Sequence, residues 1–296
     1  MMIEANNLTK RFAKFLPPAL DDVSFHVNKG DIFGLLGHNG AGKSTALGIM
    51  LGMVLANSGE VKIDGISVQN NHRKALAKVG AIFESPSFYD YMSGWDNLTY
   101  LTGLSGYKDR VKMEEVVELV NLTDRIRSKV ATYSHGMRQR LGLAQALLPQ
   151  PEVLLLDEPT DGLDPEGIKE LRDLIGKLRD EMGITILFNS HLLSEVEQVC
   201  SHFAILKQGK VVFQGNQEDF NAGENRILLD VDDWEKASAV VTDLGGRWTN
   251  SGAFLPVDLD IAILVEKLVS AGIRVRAVEP RKLSLEELYF RHTGTT

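Results

Sequence analysis

Gly37-His38-Asn39-Gly40-Ala41-Gly42-Lys43-Ser44-Thr45 is the stretch on which the fold turns. It fits the pattern G-x-x-x-x-G-K-[ST]. Each part has a physical reason. Glycines let the backbone wrap closely and turn N–H groups inward towards phosphate oxygens. A helix opening near Lys43 adds the positive end of its dipole. Lys43 then reaches the β- and γ-phosphates as a point charge, and the Ser44 hydroxyl is offered to Mg²⁺. The loop predicts that Gly37, His38, Asn39, Gly40, Ala41, Gly42, Lys43, Ser44 and Thr45 cradle ATP bound with magnesium.

Working outward, Asp31–Gly37 reads as a strand running into the glycine turn, the context this loop requires. Val23–Val27 alternates like a half-buried strand, and Val61–Gly65 alternates before a turn. Val153–Leu156 and Ile184–Phe188 are continuous apolar runs, suited to central strands covered on both faces. Ahead of them, Ser93–Leu148 is mainly helical, with Met137, Leu141, Ala144 and Leu148 along one apolar face. Strands alternating with helices predict an α/β sheet domain over residues 1–220, with a helical insert over about 85–148.

Composition shifts after Gly215, and Asn221–Asn225 reads as a linker. Beyond it, strand Ile227–Val231, helix Trp234–Leu244, strands Arg247–Thr249 and Phe254–Val257, helix Ile261–Ala271 and strand Ile273–Val278 follow in order. That β-α-β-β-α-β order predicts a small α+β, ferredoxin-like unit over 226–296. Ser284, with Glu287 three residues on, opens a last helix. This unit shows no metal cluster and no catalytic constellation.

The whole chain has 296 residues, ample for a buried core, and a net charge of −8. An acidic chain is a poor non-specific nucleic-acid binder, because phosphate neutralisation needs clustered Lys and Arg. One cysteine, Cys200, excludes a disulfide framework; it reads as a small buried residue late in a helix. There is no signal peptide and no run near the ~20 apolar residues of a membrane span. The expectation is a soluble, cytoplasmic protein whose membrane span, if it needs one, belongs to another chain.

Val153-Leu154-Leu155-Leu156-Asp157-Glu158-Pro159 ends a buried strand in two carboxylates. There, Asp157 suits Mg²⁺ beside the phosphate loop. Glu158 can point at a water in line with the γ-phosphate and act as general base.

Between the two motifs lies Tyr133-Ser134-His135-Gly136-Met137-Arg138-Gln139-Arg140-Leu141. It resembles the signature of ATP-binding-cassette (ABC) ATPases, commonly leucine-serine-glycine-glycine-glutamine. Gly162-Leu163-Asp164-Pro165 looks like that family's D-loop, and Ser190-His191 like its switch histidine. Phe12 lies where the family stacks an aromatic on adenine; Phe15 competes, and a plain core role is the alternative. The resemblance implies a P-loop NTPase (RecA-like) core with an N-terminal antiparallel β subdomain. It also implies head-to-tail pairing of two cassettes, a homodimer in the simplest case, with ATP sandwiched between them. Ser134, His135 and Gly136 would then contact a partner's nucleotide. Asp164 would cross the interface, and His191 would hold the γ-phosphate and orient Glu158.

Two departures stand out. His135 and Met137 replace a glycine and the glutamine of the signature. After Val79–Phe83, Glu84 stands where the family has a glutamine touching Mg²⁺ and the attacking water. Gly80–Tyr89 looks like the form in bacitracin- and lantibiotic-type exporters. Glu84 would still bind Mg²⁺, and would add negative charge beside Asp157 and Glu158. The aromatics Phe88, Tyr89, Tyr91 and Trp95 mark a docking surface for a transmembrane permease, or else pack within the insert. Two functions stay open: the ATPase subunit of a transporter, exporting a peptide antibiotic, drug or lipid, or a soluble ABC ATPase acting on nucleic acid or ribosomes.

Overall fold

Hydrophobic runs with no polar alternation must be covered on both faces, and they form the centre of the molecule. In the computed structural model, Ile32–Leu36 (β3), Val153–Asp157 (β7) and Thr185–Ser190 (β8) are buried along their whole length. They join Val79–Ile82 (β6), His202–Lys207 (β9) and Lys210–Gly215 (β10) in one sheet of order β10-β9-β3-β8-β7-β6. β9, β3, β8, β7 and β6 run parallel. The structure describes residues 1–84, 86–104, 106–107, 109–216, 224–249, 252–256, 259–281 and 285.

A second sheet carries the alternating runs. Ile3–Lys10 (β1), Leu20–Val27 (β2), Ser58–Ile63 (β4) and Ile66–Ser67 (β5) form an antiparallel sheet of order β2-β1-β4-β5. Val23, Phe25 and Val27 point inward while Ser24 and His26 face solvent, as strict alternation requires. Both sheets share one core, in which Phe33 stacks on Phe25 at 5.8 Å.

The insert holds helices Gly94–Leu104 (α3), Arg110–Leu119 (α4) and His135–Leu147 (α5). Leu141, Ala144 and Leu148 are buried on the face that the spacing predicts. Ser134 starts α5 as its N-cap, its hydroxyl accepting from the Met137 N–H at 3.3 Å.

The chain divides into two compact units, Met1–Gln214 and Gly215–Thr296. The second has strands Glu224–Val231 (β11), Arg247–Thr249 (β12), Gly252–Pro256 (β13) and Val275–Pro280 (β14). Their order, β12-β13-β11-β14, is antiparallel at each pairing. Helices Trp234–Asp243 (α8) and Ile261–Ser270 (α9) pack on the sheet through Ala237, Val241, Leu264 and Leu268. This is the split βαβ arrangement. Its first strand begins at Glu224, inside the stretch read as linker, because Asn225 and Arg226 pair with Leu255 and Phe254. Its last begins at Val275 rather than Ile273, whose side chain packs into the core. The helix expected from Ser284 lies outside the described residues.

Candidate functional site

Parallel strands in register end at one edge, and loops leaving that edge meet. Leu36 pairs with Ser190, Asp157 with Asn189, and Ile82 with Leu156. The exits of β3, β7, β8 and β6 therefore bring together the glycine loop, Asp157-Glu158, Ser190-His191 and Phe83-Glu84.

The loop passes from β3 into helix Lys43–Met50 (α1). Gly40 (φ +82°) and Gly42 (φ +111°) adopt left-handed backbone. A Cβ on Gly42 would lie 2.4 Å from the Ala19 carbonyl oxygen, so backbone conformation and crowding both demand glycine there. Lys43, only 5% exposed, donates to the Gly37 carbonyl at 2.7 Å and lies 3.3 Å from Glu158 Oε1. The other Glu158 oxygen, Oε2, accepts from the His191 backbone N–H at 3.2 Å and meets His191 Nδ1 at 2.8 Å. Glu158 thus bridges the loop lysine and the histidine.

Glu158 is held in left-handed backbone (φ +45°), and its N–H donates to Asn189 Oδ1 at 2.9 Å. Asn189 has no motif of its own in the sequence. The register of β7 against β8 places it opposite Asp157. Such non-glycine conformations concentrate where geometry matters more than local stability.

Asp157 is buried, and Ser44 Oγ lies 3.4 Å from its Oδ1. Burial pushes its carboxyl above the ordinary carboxylate value. Glu158's negative charge adds to this, while the polar groups of Asn189, Ser44 and the Glu84 backbone pull the other way. Glu84 also has left-handed backbone (φ +58°); its side chain is exposed at this same edge. The structure thus brings Lys43, Ser44, Glu84, Asp157, Glu158 and His191 into one cluster.

A second cluster forms elsewhere. Ser134, His135, Gly136, Gly162, Leu163 and Asp164 line an open groove of about 710 Å³, and none of Gly37–Thr45 lines it. His135 Nε2 lies 2.8 Å from the Asp161 carbonyl oxygen, so it ties the start of α5 to the turn after Glu158. Asp164 N-caps helix Pro165–Met182 (α6), accepting from the Gly167 N–H at 3.0 Å.

Phe12 is 62% exposed under the Lys10 ammonium, 4.9 Å from its ring centre, so the core reading does not hold. Phe15 is exposed as well. Among the insert aromatics, Tyr89 packs edge-on to Tyr100 at 5.5 Å and Tyr91 is exposed. Trp95 is half-buried beneath Arg127 and Arg110. Cys200 lies directly after helix Leu193–Val199 (α7), and burial raises its thiol pKa well above the ordinary value.

Residues 20–161 match the family model described as ABC transporter. The ABC transporter ATP-binding protein YhcH of Bacillus subtilis (strain 168) is 42% identical, across 100% of this chain and 97% of its own length. The chain belongs to the ATP-binding proteins of ABC transporters. It is an ABC ATPase. Bacitracin transport ATP-binding protein BcrA of Enterococcus faecalis is 38% identical over 81% of this chain and 78% of its own. An ATP-binding cassette solved as a dimer in a post-hydrolysis state with ADP and Pi superposes with a TM-score of 0.65. That structure is 25% identical and covers 73% of this chain and 98% of its own. Among the described residues, no helix of this chain is long and apolar enough to cross a membrane.

Proposed function

We propose that this ABC ATPase hydrolyses ATP with Glu158 as general base and powers export through separate transmembrane permease subunits. The observation that carries the reading is Glu158 held between Lys43 and His191 at the mouth of the glycine loop. Gly37–Thr45 wrap the phosphates, Lys43 neutralises the β- and γ-oxygens, and Phe12 stacks on adenine. His191 orients Glu158 towards a water in line with the γ-phosphate.

Mg²⁺ fits the donors present. Ser44 Oγ and Asp157 are hard oxygen ligands 3.4 Å apart, with Glu84 at the same edge. Among the described residues no group of three or more His, Cys, Asp or Glu side chains could hold a metal alone, so the nucleotide phosphates complete its shell. When bound, the ion neutralises charge on the β- and γ-phosphates.

Ser134, His135 and Gly136 stand apart from the glycine loop, which favours head-to-tail pairing of two copies. Each signature then closes over the partner's nucleotide, helped by the positive end of α5. Asp164 lies at that interface. The dimer reported for the post-hydrolysis cassette supports this arrangement. Tyr89, Tyr91 and Tyr100 form the exposed surface that receives the permease, which holds the ATPase on the inner face of the membrane. Likeness to the bacitracin transport protein favours a peptide antibiotic, drug or lipid as cargo.

The test is Glu158→Gln. ATP binding survives, and phosphate release falls at least ~100-fold, the scale of losing a general base. Near-normal turnover rejects the assignment.

A further inference from the structure

We infer that Glu195 is a positioning residue for hydrolysis, tying the turn that carries Glu158 to the turn that carries His191 from their buried side. The inference rests on the roles proposed above for those two residues. Glu195 sits in the first turn of α7 and is 8% exposed. Its Oε2 accepts from Thr160 Oγ1 at 2.5 Å and lies 3.5 Å from Ser190 Oγ. Thr160 stands two residues after Glu158, and Ser190 immediately before His191. Ser190 Oγ also accepts from the Leu192 N–H at 2.9 Å, which fixes the turn around His191.

Beside the Glu158 N–H bond to Asn189, the same two turns are therefore joined in two further ways. One link is direct, Glu158 to His191, and lies on the accessible side. That link must loosen when Glu158 swings to a water. The second link, through Glu195, uses neither catalytic side chain and can persist through that motion.

A packing role does not account for a carboxylate here. Glu195 Oε1 is buried with no hydrogen-bond partner, and burial raises the carboxyl pKa above its ordinary value. The neighbouring cavity is apolar in its greater part, with Pro159, Ile168, Leu171, Ile175, Phe188 and Val199 in its walls. An aliphatic side chain would avoid the desolvation that Glu195 suffers. What only a carboxylate or amide oxygen supplies is the acceptor that gathers Thr160 and Ser190.

Steady-state hydrolysis by the full chain tests this, with kcat and KM for ATP measured separately. Thr160→Val keeps the side chain's shape and removes the donor; Glu195→Ala removes the acceptor. Each lowers kcat about tenfold, the scale of a small misplacement of a catalytic group. KM for ATP stays within about twofold, since the phosphate contacts remain. Thr160→Ser and Glu195→Gln, which keep donor and acceptor, restore kcat. The double variant Thr160→Val/Glu195→Ala is no slower than either single one. Wild-type kcat in Thr160→Val overturns the inference, as does a loss that Thr160→Ser fails to restore. If Glu195→Ala does not fold, the Thr160 pair decides alone. Loss of activity in Glu158→Gln with normal Thr160→Val sinks the positioning role only; normal turnover in Glu158→Gln sinks both readings.

Discussion

Two regions of this chain are proposed to present backbone to phosphate, and they differ in what their own residues touch. At the glycine loop, Lys43, Glu158 and His191 pair with one another. At the signature, Ser134 and Asp164 cap their own helices, and the first turn of α5 opens onto a groove. A capped helix start still leaves N–H groups for a ligand. In the first region Glu158 joins a buried lysine to a histidine, the groups proposed to hold the γ-phosphate. In the second, the helix start faces a groove that no residue of the glycine loop lines. Under the head-to-tail reading, each would complete the other's site in a partner copy.

The largest effect should come from separating the two regions genetically. Lys43→Ala disables the loop and Gly136→Asp the signature; each protein alone should fall to background hydrolysis. Mixed in equal amounts, half of the dimers hold one intact site. Activity should then recover to roughly a quarter of wild type, given two sites per two-fold dimer. A Cβ on Gly136 would meet only Leu163 at 3.4 Å, so the variant should fold. No recovery, with dimers present, would deny that the two regions meet across the dimer.

Next in size is ATP affinity. Because Lys43 is almost fully buried against Glu158, neutralising the carboxylate should free the lysine and remove repulsion from the γ-phosphate. Glu158→Gln should bind ATP about tenfold tighter by calorimetry, corresponding to ~1.4 kcal/mol. Equal or weaker binding would show that the pair does not compete with nucleotide.

A smaller effect concerns stability. The Asp157 carboxyl has its pKa raised by burial, so the folded state holds that proton more tightly than the unfolded one. Its contribution to stability is therefore present below the ordinary carboxylate value and lost as pH rises through the raised one. Asp157→Asn should flatten that slope and raise the melting temperature at neutral pH by a few degrees, about 2–4 °C per kcal/mol. It should also abolish stabilisation by magnesium with ATP. An unchanged or lower melting temperature would deny that the acidic edge is strained.

Smallest should be Glu84→Gln. If Glu84 lies at the magnesium, removing its charge from beside Asp157 and Glu158 should preserve turnover or raise it within a fewfold range. Titrating magnesium against hydrolysis checks this, and a protein that no longer folds would instead give Glu84 a structural role.

The sequence carried most of the first region and only half of the second. Lys43, Ser44, Asp157, Glu158 and His191 stand in motifs because their chemistry fixes residue type and spacing. The strands behind them read clearly because a buried parallel sheet tolerates no polar interruption along Val153–Leu156. Asn189, Thr160 and Glu195 were not legible. Their contacts depend on which strand lies beside which, a fact of the β7–β8 register rather than of any local pattern. The tie from His135 to Asp161 was hidden for the same reason: it joins residues 26 positions apart through a helix start and a turn. Phe12 shows the converse, since an aromatic residue in isolation reads as core and only the surrounding loop leaves it exposed.

The Lys43–Glu158 contact has a consequence for the end of the reaction. Glu158 is an anion of the protein itself, set against its own lysine. On the mechanism proposed above, Glu158 would take the place of the departing phosphate oxygen, 3.3 Å from Lys43, without waiting for solvent. An internal replacement of that kind favours ejection over rebinding. On the proposed mechanism, the carboxylate that directs the water at one stage of the cycle would clear the seat at the next.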